Sequence, residues 1–486
     1  MIAETHKFTL DPFENQTDVG SPHHPGSCEV DPAQQIFTIA GAGANIWGDH
    51  DDFHFVWRRM RGDFIVTMRA AFAGPGAGTN PHRKLGWMAR ASLDTASPAV
   101  STGIHGDGLV SLQYRREQGG QTAEVRAPLS GAEVIQLERK GSTYVMSVAQ
   151  FGQPFTTVQA SGVDLGEAVY VGLFVCSHDD EIVEKAVFQD VRIVKPVQTG
   201  FDRGRDPFGS RLEILDVASG HRQIIHSMDS VFEAPNWTRD GRALVFNSEG
   251  HLYRFDLATR SAALIDTGDV VRNNNDHVLS FDGSMLAISS QTGNEGHSRV
   301  YTVPLKGGQP VQITPTGPSY LHGWSPDGKF LVFTGRRNGI FDIYRVPVEG
   351  GEETNLTNSP ALDDGPEYTP DGRYIYFNSV RSGRMQIWRM RPDGSHPEQL
   401  TDDEYNNWFP HISPDGKQMI FVTYLVGEVE PSDHPAAKRV YLRVMPLDGG
   451  APQVVAHLYG GQGTMNVPSW SPDGRQVAFV SNMVPF

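Results

Sequence analysis

From Asn236 to the C-terminus the chain alternates polar turns with short apolar runs in a fixed order. A hexapeptide ending in Asp-Gly recurs, closing at Gly241, Gly283, Gly328, Gly372, Gly416 and Gly474, with spacings of 42, 45, 44, 44 and 58 residues. An apolar, β-rich run follows each copy: ALVFNS, LAISS, LVFTG, YIYFNS, MIFVTY and VAFVS. Asp-Gly takes the positive φ angles of a tight hairpin turn. A second strand such as DIYRVPV or QIWRMRP comes next, then a Gly-Gly or Asp-Gly turn, then a short strand ending in Thr, as in VQITP. Four strands per unit predict one blade of a β-propeller. The widest spacing holds a polar insertion, GEVEPSDHPAAK at 427–438, which reads as a loop.

The last unit stops after two strands, whereas RLEILDV and RQIIHS, at 211–217 and 222–227, precede the first unit as strands without an inner pair. Joining the two ends completes a sixth blade and removes open sheet edges, so the pattern predicts a closed ring. The repeat resembles that of the TolB-like (Tol-type, WD-like) propellers, P-x-W-S-P-D-G, over 210–486. That family includes periplasmic scaffolds, peptidase-associated propellers and the distantly similar oligogalacturonate lyases, so the resemblance implies fold more than function.

Before the repeats, short strands alternate with turns: FHFVWRRM, FIVTMRAAF, KLGWMARAS, LVSLQYRR, VIQLERKG, TYVMSVAQ, AVYVGLFVCS and AVFQDVRIV. This predicts an antiparallel β-sandwich. The stretches 45–64, 86–94, 109–116, 136–144 and 169–178 resemble the concanavalin-like jelly rolls that accompany carbohydrate-active proteins. The expected fold is all-β: a sandwich over 1–198, a Gly/Asp/Arg-rich linker over 199–209 and a six-bladed propeller over 210–486. Trp47, Trp57 and Trp87 either stack on a sugar or fill the sandwich core. His50, Asp51 and Asp52 form a loop group able to hold Ca²⁺.

Composition narrows the function. The formal charge of -16 would repel a phosphate backbone, so no nucleic-acid partner is expected. Two cysteines, Cys28 and Cys176, cannot make a thiolate metal site, and Cys176 in VGLFVC reads as core. No window is long and apolar enough for a membrane span, and no membrane partner is expected. The N-terminal MIAETHKFTLDPFENQ lacks a signal-peptide pattern, so the chain as given reads as cytoplasmic, or as periplasmic if a signal had been removed. G-x-S-x-G, P-loop, G-x-G-x-x-G and H-E-x-x-H motifs are missing.

In a propeller the residues entering the innermost strands line the channel mouth, where six loops converge. Counting back from the motif Trp places Glu233, Asn275, Tyr320, Asp364, Trp408 and Asn466 there. His277 and His322 replace the motif proline in adjacent units, Asp276 precedes His277, and His411 follows Pro410. Imidazoles beside carboxylates serve as general acids and bases or as ligands of a divalent metal. The expected catalytic set is His277, His322, Asp364 and Glu233, with His277 and His322 also the candidate ligands of a metal such as Ca or Mn. Asp276, Asn275, Tyr320, Arg337, Arg381, Trp408, His411 and Asn466 are expected to contact substrate, the arginines as carboxylate clamps.

These residues point to a carbohydrate-active enzyme acting on an oligosaccharide at the channel mouth, as a lyase or a glycoside hydrolase. The similarity to oligogalacturonate lyases implies β-elimination on a uronate, with a metal or Arg neutralising the carboxylate. The sequence departs from those lyases in lacking a cluster of three or four metal-binding histidines. The alternative is a non-catalytic TolB-like scaffold that recognises a sugar or peptide, with the histidines bonding neighbouring blades together.

Overall fold

A computed structural model describes residues 12–73, 80–293 and 296–486. Residues 1–11, most of the N-terminal segment MIAETHKFTLDPFENQ, lie outside the described residues. The chain divides into two compact units, Met1–Pro196 and Val197–Phe486. Both are built from strands, with no helix among the described residues.

The first unit is a sandwich of two antiparallel seven-stranded sheets. One sheet runs Asn15–Val19, Phe53–Arg61, Ala168–Cys176, Lys84–Arg90, Ala99–His105, Val110–Arg115, Ala123–Arg126. The other runs Thr156–Ala160, Thr143–Ala149, Val134–Lys140, Phe64–Phe72, Glu184–Val194, Ile36–Gly41, Ser27–Asp31. Strand periodicity sorts the side chains: Leu85, Trp87 and Ala89 enter the core between the sheets, while Met88 joins a second apolar cluster with Phe53, Phe174 and Cys176. Trp87 is therefore a core residue, and Trp57 packs edge-on to Tyr170 with ring centroids 4.9 Å apart. Only Trp47 of the three is exposed. The Ca²⁺ reading of 50–52 is not supported, because Asp51 binds Arg115 at 2.7 Å and Arg90 at 3.3 Å. Asp52 instead accepts the backbone N–H groups of Ser21 and Ala44.

The second unit is the six-bladed propeller. Blades one to five are four-stranded meanders whose inner strands are Glu233–Trp237, Asn273–Leu279, Ser319–Trp324, Asp363–Tyr368 and Asn406–Ile412. In the sixth, Gln476–Met483 pairs with Gly209–Asp216, which pairs with Arg222–Met228. Its innermost stretch bonds through Ser469 and Thr464 carbonyls to the Ala478 and Val480 N–H groups. The ring is thus closed by its own two ends.

The recurring turn is a small hydrogen-bonded unit. Ser325 Oγ donates to Asp327 Oδ1 at 2.6 Å, and the same oxygen of Asp327 accepts the Lys329 N–H. Gly328 follows at φ 70°, where a β-carbon would strain the chain. Equivalent Ser/Thr-to-Asp bonds occur in the other five turns. Neighbouring blades are tied by Trp324 Nε1 to the Val278 carbonyl, Trp470 Nε1 to the His411 carbonyl, and Glu367 to the Ile412 N–H.

Every inner strand of blades one to five carries a β-bulge near its start. Ala234, Gly365 and Phe409 have positive φ there. A bulge re-aims the side chains before it relative to those after it.

Candidate functional site

A cavity of about 320 Å³ opens where the inner strands of blades two to six begin. That is within the range of small-molecule sites. Six of the expected residues line it: Asn275, Asp276, Tyr320, His322, Asp364 and Asn466. The sequence reading missed Asn274, Thr334, Phe341, Phe409, His434 and Gln462, which line it as well.

The remaining expected residues lie outside the lining. His277 is fully buried and turns its Nε2 to the Val245 carbonyl at 3.3 Å, so the proposed His277–His322 metal pair is not assembled in the cavity. Burial pushes the His277 imidazole down to about 4, which keeps it neutral. Glu233 binds Arg203, which precedes the first propeller strand, at 2.6 Å, and Asn247. Arg337 makes a two-point pair with Glu353, and Arg381 with Asp363. His411 binds Glu367 at 2.6 Å and the Met465 carbonyl, which makes it a tie between blades. Trp408 is fully buried and supports the ring of His434 at 4.3 Å. Among the described residues, no group of three or more His, Cys, Asp or Glu is placed to hold a metal ion.

Within the cavity, two carboxylates sit in opposite environments. Asp276 is buried, with the Asn274 amide donating to it at 2.9 Å. Burial raises its carboxyl to about 7; the nearby His322 opposes the rise and the Asp364 charge adds to it. Burial also acts on Asp364, but His322 Nε2 at 3.3 Å, His434 and the Thr334 hydroxyl at 2.6 Å outweigh it and hold the carboxyl down at about 2. Burial alone would lower the His322 imidazole, yet the Asp364 bond and the charges of both carboxylates raise it instead. His322 and Asp364 therefore form an ion pair, while Asp276, raised to about 7, is divided between its protonated and charged forms near neutrality.

His434 comes from the insertion at 427–438, the polar loop of the fifth blade. Its Nδ1 lies 2.6 Å from Gln462 Oε1, which also accepts the Asn466 amide at 3.0 Å. An amide oxygen only accepts, so Nδ1 carries the proton and Nε2 presents its lone pair when the ring is neutral. That Nε2 faces Asp364 Oδ2 at 3.8 Å. Phe409 forms the wall between the imidazoles, stacked on His322 at 5.9 Å and edge-on to His434 at 5.3 Å. Gly365 makes room for it: a β-carbon there would lie 2.6 Å from Asn378 Oδ1, the oxygen that accepts the Phe409 N–H.

Comparison with known proteins agrees with this architecture. The family described as the TolB beta propeller domain matches residues 321–433. An uncharacterised protein of Agrobacterium fabrum is 47% identical over 272 residues, which is 56% of this chain and 92% of that protein. A solved structure from Agrobacterium tumefaciens, described as a TolB, is 46% identical, covering 57% of this chain and 99% of that one at a TM-score of 0.55. An oligogalacturonate lyase in complex with manganese is 17% identical over 53% of this chain and 91% of its own, with a TM-score of 0.36. The chain belongs to the TolB-like β-propeller family.

Proposed function

We propose that the propeller is carbohydrate-active and cleaves a small oligosaccharide in the cavity by acid–base chemistry. The carrying observation is that one cavity holds a buried carboxyl, Asp276, whose affinity for its proton is raised, and an imidazole, His434, whose Nδ1 bond to Gln462 leaves Nε2 as the acceptor of the neutral ring. Environments that push two titratable groups apart are what assign acid and base roles. Asp276 protonates the leaving oxygen, and His434 takes a proton from the attacking water. The His322–Asp364 ion pair supplies fixed charge between them. The amides of Asn274, Asn275, Gln462 and Asn466 suit sugar hydroxyls, and Tyr320, Phe341 and Phe409 suit a sugar face.

The site favours hydrolysis over elimination on a uronate, because the arginines that would clamp a uronate are engaged with Glu353 and Asp363. A metal has no ligand cluster among the described residues, so no step is routed through one. The test is release of reducing ends from a panel of oligosaccharides. Asp276→Asn and His434→Ala are each expected to lower kcat by about 10²–10⁴-fold while substrate affinity changes only a few-fold. Sugar binding with no turnover by the wild type would replace this reading with that of a binding scaffold.

A further inference from the structure

The imidazole assigned as the base comes from an unpromising place. The insertion at 427–438 joins two strands of blade five, Gln418–Tyr424 and Lys438–Pro446, and the residues on either side of His434, Asp433 and Pro435, are exposed. A polar surface loop buries little apolar area and is ordinarily mobile. His434 nevertheless sets its ring in the cavity, 4.3 Å from Trp408 and 5.3 Å from Phe409 between centroids.

Three hydrogen bonds hold it there. The carbonyl of Pro435, the residue after His434, accepts the Tyr424 hydroxyl at 2.8 Å and the Gln462 backbone N–H at 3.3 Å. The Gln462 side chain accepts from His434 Nδ1 at 2.6 Å. Gln462 thus grips two consecutive residues of the loop, one with its backbone and one with its side chain. Its Oε1 is steadied in turn by the Asn466 amide at 3.0 Å, and Asn466 Oδ1 accepts the Gly463 N–H at 2.8 Å. Tyr424 is fully buried at the end of its strand. Burial raises its hydroxyl well above the usual range, so it remains a donor through neutral pH and beyond. Gly461 keeps the junction tight: a β-carbon there would collide with the Pro435 carbonyl oxygen and the Tyr424 hydroxyl.

We propose that Tyr424 is a positioning residue for His434: its hydroxyl latches the insertion through the Pro435 carbonyl and so keeps the imidazole on Gln462, with Nε2 toward the cavity. The catalytic consequence rests on the acid–base reading above; the latch rests on geometry alone. Tyr424 is not among the lining residues, so it acts through His434 and not on the sugar. Without the hydroxyl, the Pro435 carbonyl keeps only the longer bond from Gln462, and the ring is free to leave Oε1. Displacing a reacting group by about 1 Å costs up to about a hundredfold in rate.

Tyr424→Phe removes the hydroxyl and keeps the ring. On an oligosaccharide that the wild type cleaves, kcat should fall about ten- to a hundredfold with KM within about threefold. Ring-nitrogen NMR spectra of the full-length protein, labelled at histidine and recorded where the ring is neutral, supply the second readout. The His434 signals, identified by their loss in His434→Ala, should show the Nδ1–H tautomer in the wild type and a mixture of tautomers in Tyr424→Phe. Unchanged kcat and tautomer overturn the inference. So does a fall in kcat with the tautomer unchanged and KM raised in step, which a merely structural role would give. A wild type without turnover removes the acid–base reading, and the tautomer, which needs no substrate, still decides the latch. Should Tyr424→Phe fail to fold, hydrogen exchange of the wild type decides. The Gln462 amide is expected to exchange about a hundredfold or more slowly than in an unstructured chain, and exchange at the unstructured rate overturns the latch.

Discussion

The behaviour of the site is set by a few atoms. Asp276 is an acid whose folded-state affinity for its proton exceeds the unfolded one, rising from 3.8 to about 7. Between those values the native state binds more protons than the unfolded state, so this group makes stability fall as pH rises. Asparagine copies the protonated form without titrating. Asp276→Asn should therefore gain stability relative to wild type at pH 8, by about 1–3 kcal/mol, and little at pH 4, as read by urea unfolding. Asp364 has the opposite sign: held at about 2, it stabilises above its ordinary 3.8, and the contribution is lost as pH falls toward 2. Gly365 is the second sensitive point. At φ 63°, with Asn378 Oδ1 2.6 Å from where a β-carbon would sit, Gly365→Ala should cost about 1–3 kcal/mol. The same change disturbs the wall made by Phe409, so ligand affinity should drop with it, which titration of the variant would read.

At the scale of elements, the blades were legible and the aim of their first residues was not. The Ser/Thr-x-Asp-Gly turn is a local hydrogen-bonded motif, so it leaves a direct trace in the sequence. The bulges leave none, because each depends on pairing with the next strand. Counting back from the motif Trp takes no account of a bulge. In blade two the bulge between Asn273 and His277 turns His277 inward, and Asn274, Asn275 and Asp276 line the cavity instead. Phe409 was overlooked for the same reason in blade five. His434 sits in an insertion that the sequence analysis read only as a polar loop; its one signal was the widened spacing of 58 residues. The closure of the ring was legible from strand counting alone, and it has a mechanical consequence. Gly209–Asp216 pairs along its length with Gln476–Met483, and Ser481 donates to the buried Glu213 at 2.5 Å. A chain ending at Arg475 leaves the edge of Gly209–Asp216 unpaired. It should aggregate or lose cooperative unfolding, which scattering and thermal melts would register.

At the scale of the whole molecule, the cavity belongs to one of the two compact units. Every lining residue of the cavity falls between Asn274 and Asn466, inside the second unit. The Agrobacterium relative matches over 272 residues, about the length of one propeller. A fragment comprising Val197–Phe486 contains both closing strands and the Arg203–Glu233 pair, so it should fold and bind the same ligand with affinity within about twofold of the full chain. What joins the scales is the claim that the bulged inner strands bring Asp276, the His322–Asp364 pair and His434 to one sugar-sized cavity. The most direct test is a crystal structure of the Asp276→Asn protein soaked with an oligosaccharide that the wild type cleaves. The account predicts sugar density between residue 276 and the His434 ring, against Phe409. Density confined to another surface, with this cavity holding solvent alone, would contradict it.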